Sequence, residues 1–449
     1  MIRLVHYSDI ENAYDDADRL GRLAGRIDAR RDADTLVFGT GDNTSPGILP
    51  LVTKGEQALD FFHAVEPDAD TFGNHDFDYG PNRALEIVER APQPWLCANV
   101  ERDGEPFGRE AGVRPWQIFE RDGERVGVFG LVTPKTASIN PSTGDVAFTD
   151  PIVAAEDAVA ELRGEGVDYV VCLSHLGRGD ETLAAEIDVD VVLGGHNHAE
   201  QIERLGDTLL TRPGVNGAVF FEVTLPDKEV TRRVVADGPR DEWVTAAVET
   251  RLTAAGVDEV VPTVAEPIER TEVACFHGES RVGNFVADAY RWATDADVGL
   301  QNSGGIRSGP SLAGDVTVGD LISLIPFDEP LSIAEVTGRE LRELFRQGEG
   351  SRLGFGEPDW WHAHLSGARI EYERATDTLT EATVGGEAID PERTYRLALA
   401  DYLLHSDDEF PAVGMDHRVE TIRTQYEILA DYARCEGIDP AVEGRVRHL

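Results

Sequence analysis

"TFGNHDFDYG", residues 71–80, sets two glycines, an asparagine, a histidine and two aspartates between stretches of helical periodicity. Alone it reads equally as an acidic polar turn or as the middle of a metal site. The choice depends on whether other segments supply the partners that a metal needs.

Working outward, the first half alternates short apolar runs with amphipathic stretches. "IRLVHYS", "DTLVFGT", "DADTFG", "PWLCANV", "RVGVFGL", "DYVVCLS" and "VDVVLGG" read as strands, and helical spacing recurs around residues 13–31, 55–65, 81–90 and 151–164. The pattern predicts an α/β fold with layered sheets covered by helices. Residues 207–236 read as a closing meander of strands. A solitary amphipathic helix over 238–259, with Trp243, Val244, Ala247, Val248 and Leu252 at helical spacing, reads as core or as a bridge between domains. The expected division is a first α/β domain over 1–237, a linker helix over 238–262 and a second α/β domain over 263–449.

Five polar clusters directly follow predicted strands. "HYSDIE" supplies Asp9 and Glu11, "GTGDN" supplies Asp42, and "GNHDFD" supplies Asn74, His75 and Asp78. "LSHLG" supplies His175, and "GGHNH" supplies His196 and His198. Ligands of open α/β sheets bind at the carboxyl ends of strands, so these five loops are expected on one rim. One such cluster is weak evidence; five, each carrying Asp, Asn or His, favour a metal site.

These motifs resemble the calcineurin-like metallophosphoesterases, in particular the 5′-nucleotidase/UDP-sugar hydrolase family. The resemblance implies a layered metallophosphoesterase β-sandwich flanked by helices, followed by a second α/β substrate-binding domain. It implies two divalent ions, one held by Asp9, Glu11, Asp42 and His198, the other by Asp42, Asn74, His175 and His196, with Asp42 bridging. His75 would assist the leaving oxygen, oriented by Asp78. Two such ions, roughly 3.5–4 Å apart, activate water and neutralise a phosphoryl group. Mixed carboxylate and imidazole ligands point to Mn, with Zn, Co or Fe as alternatives. Glu11 departs from the family, which has histidine there; it is read as a ligand, the alternative being that it points away and one ion binds weakly.

In the second half "ESRVGNFVADAY" (279–290), "NSGGIR" (302–307), "PFDEPL" (326–331) and "DDEF" (407–410) resemble the same family's substrate motifs. By that resemblance Asn302 and Arg307 make polar contacts, Phe327 and Phe410 sandwich a base, and Arg281 replaces an arginine missing from "CFHGES". Core packing is the alternative for either ring. The implied activity is a 5′-nucleotidase. A 2′,3′-cyclic nucleotide phosphodiesterase, a nucleotide-sugar pyrophosphatase and a non-catalytic nucleotide-binding relative are the other readings.

The net charge of −43 over 449 residues is spread along the whole chain. Lys54, Lys135 and Lys228 are the lysines, and the remaining basic residues are arginines. Such a surface repels itself in dilute buffer and is screened in salt, which fits a halophile's cytoplasm. With no basic stripe, nucleic acid is not expected as a partner. No apolar run reaches membrane-spanning length, and the amino terminus enters a strand with no secretion signal visible, so neither a membrane nor export is expected. Cys97, Cys172, Cys275 and Cys435 form no paired spacing, and Cys97 and Cys172 are expected as buried thiols. Oligomeric state is left open.

Overall fold

The computed structural model describes residues 1–353, 357, 359–406 and 408–449. Asp407, at the start of "DDEF", lies outside the described residues. The chain divides into two compact units, Met1–Ala255 and Gly256–Leu449.

The first unit holds two main sheets. One runs in the order Glu229–Val234, Val219–Leu225, Ile2–Tyr7 and Thr35–Gly39. The other runs Gln201–Leu205, Thr208–Arg212, Val191–Gly194, Tyr169–His175, Glu124–Val132 and Trp116–Arg121. Side chains alternate across each strand, and both faces are covered. Leu4, Phe38 and Val223 of the first sheet meet Val128, Leu173 and Leu193 of the second in one core. Val5 and Tyr7 turn instead to a helical layer with Leu20, Phe61 and Val244, while Cys172 and Val192 turn to another with Ala155, Leu162 and Leu183. Burial on both faces explains why these strands read as unbroken apolar runs.

The helices start where the sequence offers a cap. Asp16 accepts from Arg19 N–H at the head of Ala17–Asp28, and Asp150 accepts from Ile152 N–H at the head of Pro151–Gly164, whose first residue is proline. "DADTFG" and "PWLCANV", expected as strands, contribute mainly single bridges, Phe38 to Ala69, Asp70 to Trp95 and Leu96 to Arg114, before Val100 opens the short strand Val100–Arg102. The expected meander is split: Thr208–Arg212 lies parallel to Val191–Gly194 in one sheet, and Val219–Leu225 and Glu229–Val234 pair in the other.

The helix expected to link the domains, Glu242–Ala254, packs within the first unit. Asp241 N–H donates to the Gly21 carbonyl at 2.8 Å, and Arg251 pairs with Asp60. Val244 and Val248 are buried, whereas Trp243, counted in the same stripe, is 56% exposed. Isolation between strand regions suggested a linker; the contacts that seat the helix are with segments far upstream, at Gly21 and Asp60.

In the second unit a five-stranded sheet runs Ala363–Ser366, Val298–Asn302, Thr394–Ala400, Pro330–Thr337 and Arg418–Thr424. Helix Arg281–Thr294 starts at Ser280, which accepts from Gly283 N–H. Helix Gly338–Gln347 starts with a capping box between Thr337 and Glu340. Strand Val260–Arg270 already belongs to this unit, so it begins earlier than the expected 263.

The seating of Glu242–Ala254 depends on Gly21, where a Cβ would stand 2.0 Å from Thr245 Oγ1. Gly21→Val should therefore lower the unfolding free energy by about 1–3 kcal/mol, as overpacking does. Urea denaturation at molar salt measures it; an unchanged midpoint would show that the helix is not held there.

Candidate functional site

The ends of four strands and the loops after them bring the polar clusters of the first unit together. Ligand atoms of Asp42, His175 and His196 lie within 4.8 Å of one another, and so do those of Asp9, Glu11 and His198. Asp9, Glu11, Asp42 and His196 all hold positive φ, at 48°, 45°, 51° and 69°. Left-handed backbone is uncommon for residues with a Cβ and clusters at functional sites. Hydrogen bonds hold the loops in place: Asp9 N–H donates to the Gly41 carbonyl at 3.0 Å, and His196 N–H donates to Asp9 Oδ1 at 3.1 Å.

His175 is fully buried, with Nδ1 2.7 Å from the Thr40 carbonyl and Nε2 3.0 Å from Asp42 Oδ2. A carbonyl can only accept, so Nδ1 carries a proton and Nε2 faces the site, as expected of an imidazole ligand. Burial works against charge on both partners, but their mutual attraction prevails. His175 is raised to about 10 and Asp42 lowered to about 2. Burial pushes the Asp9 carboxyl up to about 7, and burial beside His175 pushes His196 down to about 4. Oxygen and nitrogen donors crowded without apolar cover are costly unless something compensates them.

An orphaned atom supports a cation here: Asn74 Oδ1 is buried without a hydrogen-bond partner, while Glu11 Oε1 is met by His198 Nε2 at 3.0 Å. Carboxylate, amide oxygen and imidazole fit divalent first-row metals. The residues present therefore fit a binuclear centre in which Asp9, Glu11 and His198 would hold one ion, Asn74, His175 and His196 the other, and Asp42 both.

His75 lies at the rim, with Nδ1 3.1 Å from each Asp78 oxygen and its main-chain N–H 2.7 Å from Asp42 Oδ1. Burial opposes its charge, but Asp42 and Asp78 together raise its pKa to about 10. Asp78 is itself fixed by Ser45 Oγ at 2.8 Å and Asn140 Nδ2 at 2.9 Å. Asn140 also donates to the Asn74 carbonyl at 2.8 Å. Behind the histidine loops, buried Asp180 accepts from Ser174 and Arg212, and Arg212 also reaches the Gly177 carbonyl. Sequence reading missed Asn140, Ser45, Asp180 and Arg212, because none lies in a motif and most of their partners are distant in sequence.

The second unit treats its five expected substrate residues differently. Arg307 and Phe327 are adjacent, the guanidinium standing 4.7 Å over the ring centroid, and desolvation lowers the Arg307 pKa. Asn302 is buried and already engaged, donating to Glu409 at 2.9 Å and accepting from Gln301 at 2.9 Å. Arg281 is not free to grip a substrate: it donates to the carbonyls of Pro440, Glu266 and Pro267. Phe410 is fully buried in the core with Trp361, Leu365 and Leu403, its ring stacked on His362 at 5.8 Å and 19°. The Phe410 ring, expected to sandwich a base with Phe327, is therefore not exposed to a substrate. Glu409, the residue before Phe410, is itself anchored by His362 at 2.5 Å and by Asn302.

Two family models match the chain: calcineurin-like phosphoesterase over residues 2–200, and the 5′-nucleotidase C-terminal domain over residues 259–415. The chain is similar to the trifunctional nucleotide phosphoesterase protein YfkN of Bacillus subtilis, at 26% identity over 100% of this chain, but it spans only 35% of that protein's length. It is also similar to an apyrase of Tabanus yao, at 24% identity over 99% of this chain and 93% of the apyrase. Among solved structures it superposes on a 5′-nucleotidase precursor from Thermus thermophilus with a TM-score of 0.70, 25% identity, and coverage of 100% and 99% of the two chains.

Since Phe410 is core, Phe410→Ala should cost about 3–5 kcal/mol of stability. Any change in KM should then be the same for a nucleotide and for p-nitrophenyl phosphate. A KM increase confined to the nucleotide, with stability kept, would return Phe410 to the base pocket.

Proposed function

This chain belongs to the calcineurin-like phosphoesterases, joined to a 5′-nucleotidase C-terminal domain, and on that premise we propose a binuclear, metal-dependent 5′-nucleotidase that releases phosphate from nucleoside monophosphates. The observation that carries the reading is the pair of ligand clusters, Asp9/Glu11/His198 and Asp42/His175/His196, with the His75–Asp78 dyad tied to Asp42 by a main-chain hydrogen bond. Two divalent ions held there supply charge neutralisation and an activated water. His75 supplies the remaining proton: with Nδ1 held by Asp78, Nε2 is the atom that donates to the departing oxygen. Asn140 and Ser45 keep Asp78, and through it the imidazole, in one orientation. Arg307 and Phe327 are the proposed nucleotide contacts in the second unit.

We propose manganese as the native metal, with zinc, cobalt or iron as the alternatives the donor set also suits. The dispersed charge of −43 supports work in a salt-rich cytoplasm, without nucleic acid or membrane as partner.

The test is phosphate release from AMP with Mn²⁺ at molar salt, beside 2′,3′-cyclic nucleotides, nucleotide sugars and p-nitrophenyl phosphate. Turnover of nucleoside monophosphates, abolished by chelation, is expected. Cleavage confined to another member of the panel would replace the reading, and no cleavage at all would leave a non-catalytic relative.

His75→Asn should lower kcat by about 10²–10⁴ while metal content and KM stay near the parental values. The loss should shrink for p-nitrophenyl phosphate, whose leaving group needs little help. Equal losses on AMP and on that ester would remove the leaving-group role.

A further inference from the structure

Asp76, the residue between His75 and Phe77 in the quoted stretch, has no part in the chemistry above. It is 5% exposed, and four donors converge on its carboxylate. Oδ2 accepts from Gly73 N–H at 2.7 Å and from Asp42 N–H at 3.0 Å. Oδ1 accepts from Thr44 N–H at 3.1 Å and from Thr44 Oγ1 at 2.7 Å. Three of the four are main-chain groups, and two of those belong to the loop that carries Asp42.

The arrangement is reciprocal. Asp42 Oδ1 accepts His75 N–H from the second loop, while Asp76 Oδ2 accepts Asp42 N–H from the first. Among the described residues no main-chain to main-chain hydrogen bond runs directly between 40–45 and 71–76. Side chains, chiefly these two carboxylates, therefore join the loops. The approach is close enough that a Cβ on Gly73 would stand 2.1 Å from Asp42 Oδ1. Asp42 itself holds φ of 51°, a conformation that persists only where its surroundings enforce it.

We infer that Asp76 is the positioning residue that locks Asp42 in its left-handed conformation, so that one carboxylate can serve both ions. The inference rests on the binuclear reading of the site. A buried aspartate that merely closes its own turn would accept from Gly73 alone. Asp76 instead uses both oxygens on the partner loop, and its bond to Asp42 N–H fixes the backbone from which the bridging side chain departs. With the clasp opened, Asp42 can still approach one ion, but its second oxygen loses its fixed direction. The structure thus assigns Asp76 to pairing the ions rather than to holding either.

The experiment uses the full chain, Mn²⁺ alone and no substrate. Asp76→Asn keeps the volume but leaves one acceptor oxygen and turns an NH₂ group toward main-chain donors. Calorimetric titration should show the second Mn²⁺ bound about 10–100-fold more weakly, the usual cost of losing an outer-shell partner. Electron paramagnetic resonance at equal loading should show isolated ions in place of an exchange-coupled pair. A variant that keeps parental second-ion affinity and the coupled signal overturns the inference, even if it melts earlier, because its role is then only structural. Should Asp76→Asn fail to fold, Thr44→Val removes one donor and leaves the three N–H groups; a smaller loss in the same direction is expected, and parental affinity overturns it. Parental protein that pairs Mn²⁺ but leaves AMP intact would refute the nucleotidase reading alone.

Discussion

The candidate metal centre rests on a backbone constraint: carboxylates and imidazoles from three separate loops must turn inward, beside the strand-end His175, soon after leaving their strands. Extended backbone would alternate their side chains into the sheet cores. Positive φ at Asp9, Glu11, Asp42 and His196 breaks that alternation and aims four potential ligands at one region. The two stacked sheets make this tolerable. Their shared core of Leu4, Phe38, Val128 and Leu173 fixes the strand ends, and the loops inherit that rigidity. Local strain is thereby held by distant packing, as functional constellations require.

The second unit uses buried polar groups in another way. Asn302, Glu409 and His362 are linked through the Glu409 carboxylate, and Tyr290 hydrogen-bonds Gln301 at 2.7 Å nearby. These bonds tie together the loops around "NSGGIR" and bury Asn302. What remains presented is the Arg307–Phe327 pair, a cation over an aromatic face. Such a pair offers charge and a flat apolar surface together, with little demand on the identity of what it meets.

The layered fold and the clustering of the five polar loops were legible because they depend on local pattern. Apolar runs ending in Asp, Asn or His, and helices opened by Asp16 and Asp150, carry their structural meaning within a few residues. What was not legible depends on contacts far along the chain. Nothing near residue 242 shows that the following helix seats on Gly21. "DDEF" contains the expected phenylalanine, but which way its ring turns is decided by His362 and Glu409 gripping one another. Arg281 kept the charge expected of a substrate ligand, while three carbonyls from other segments claimed its donors. Asp76 stood in the most informative motif of the chain and still showed nothing of its role, since hydrogen bonds to main-chain N–H groups leave no residue-type signature on the partner.

Asp9 and His198, near neighbours in the centre, lie far apart along the first unit's chain. Closing so long a loop is entropically expensive and comes late, after the intervening strands have found their register. The ligand cluster is thus a product of folding and not a nucleus for it, and a nascent chain offers no complete site until the "GGHNH" segment has emerged and docked. Once formed, the site acts on the fold in turn. A cation bound across such distant segments stabilises every element between them by mass action, so metal supply becomes a determinant of how long the chain survives unfolding and proteolysis.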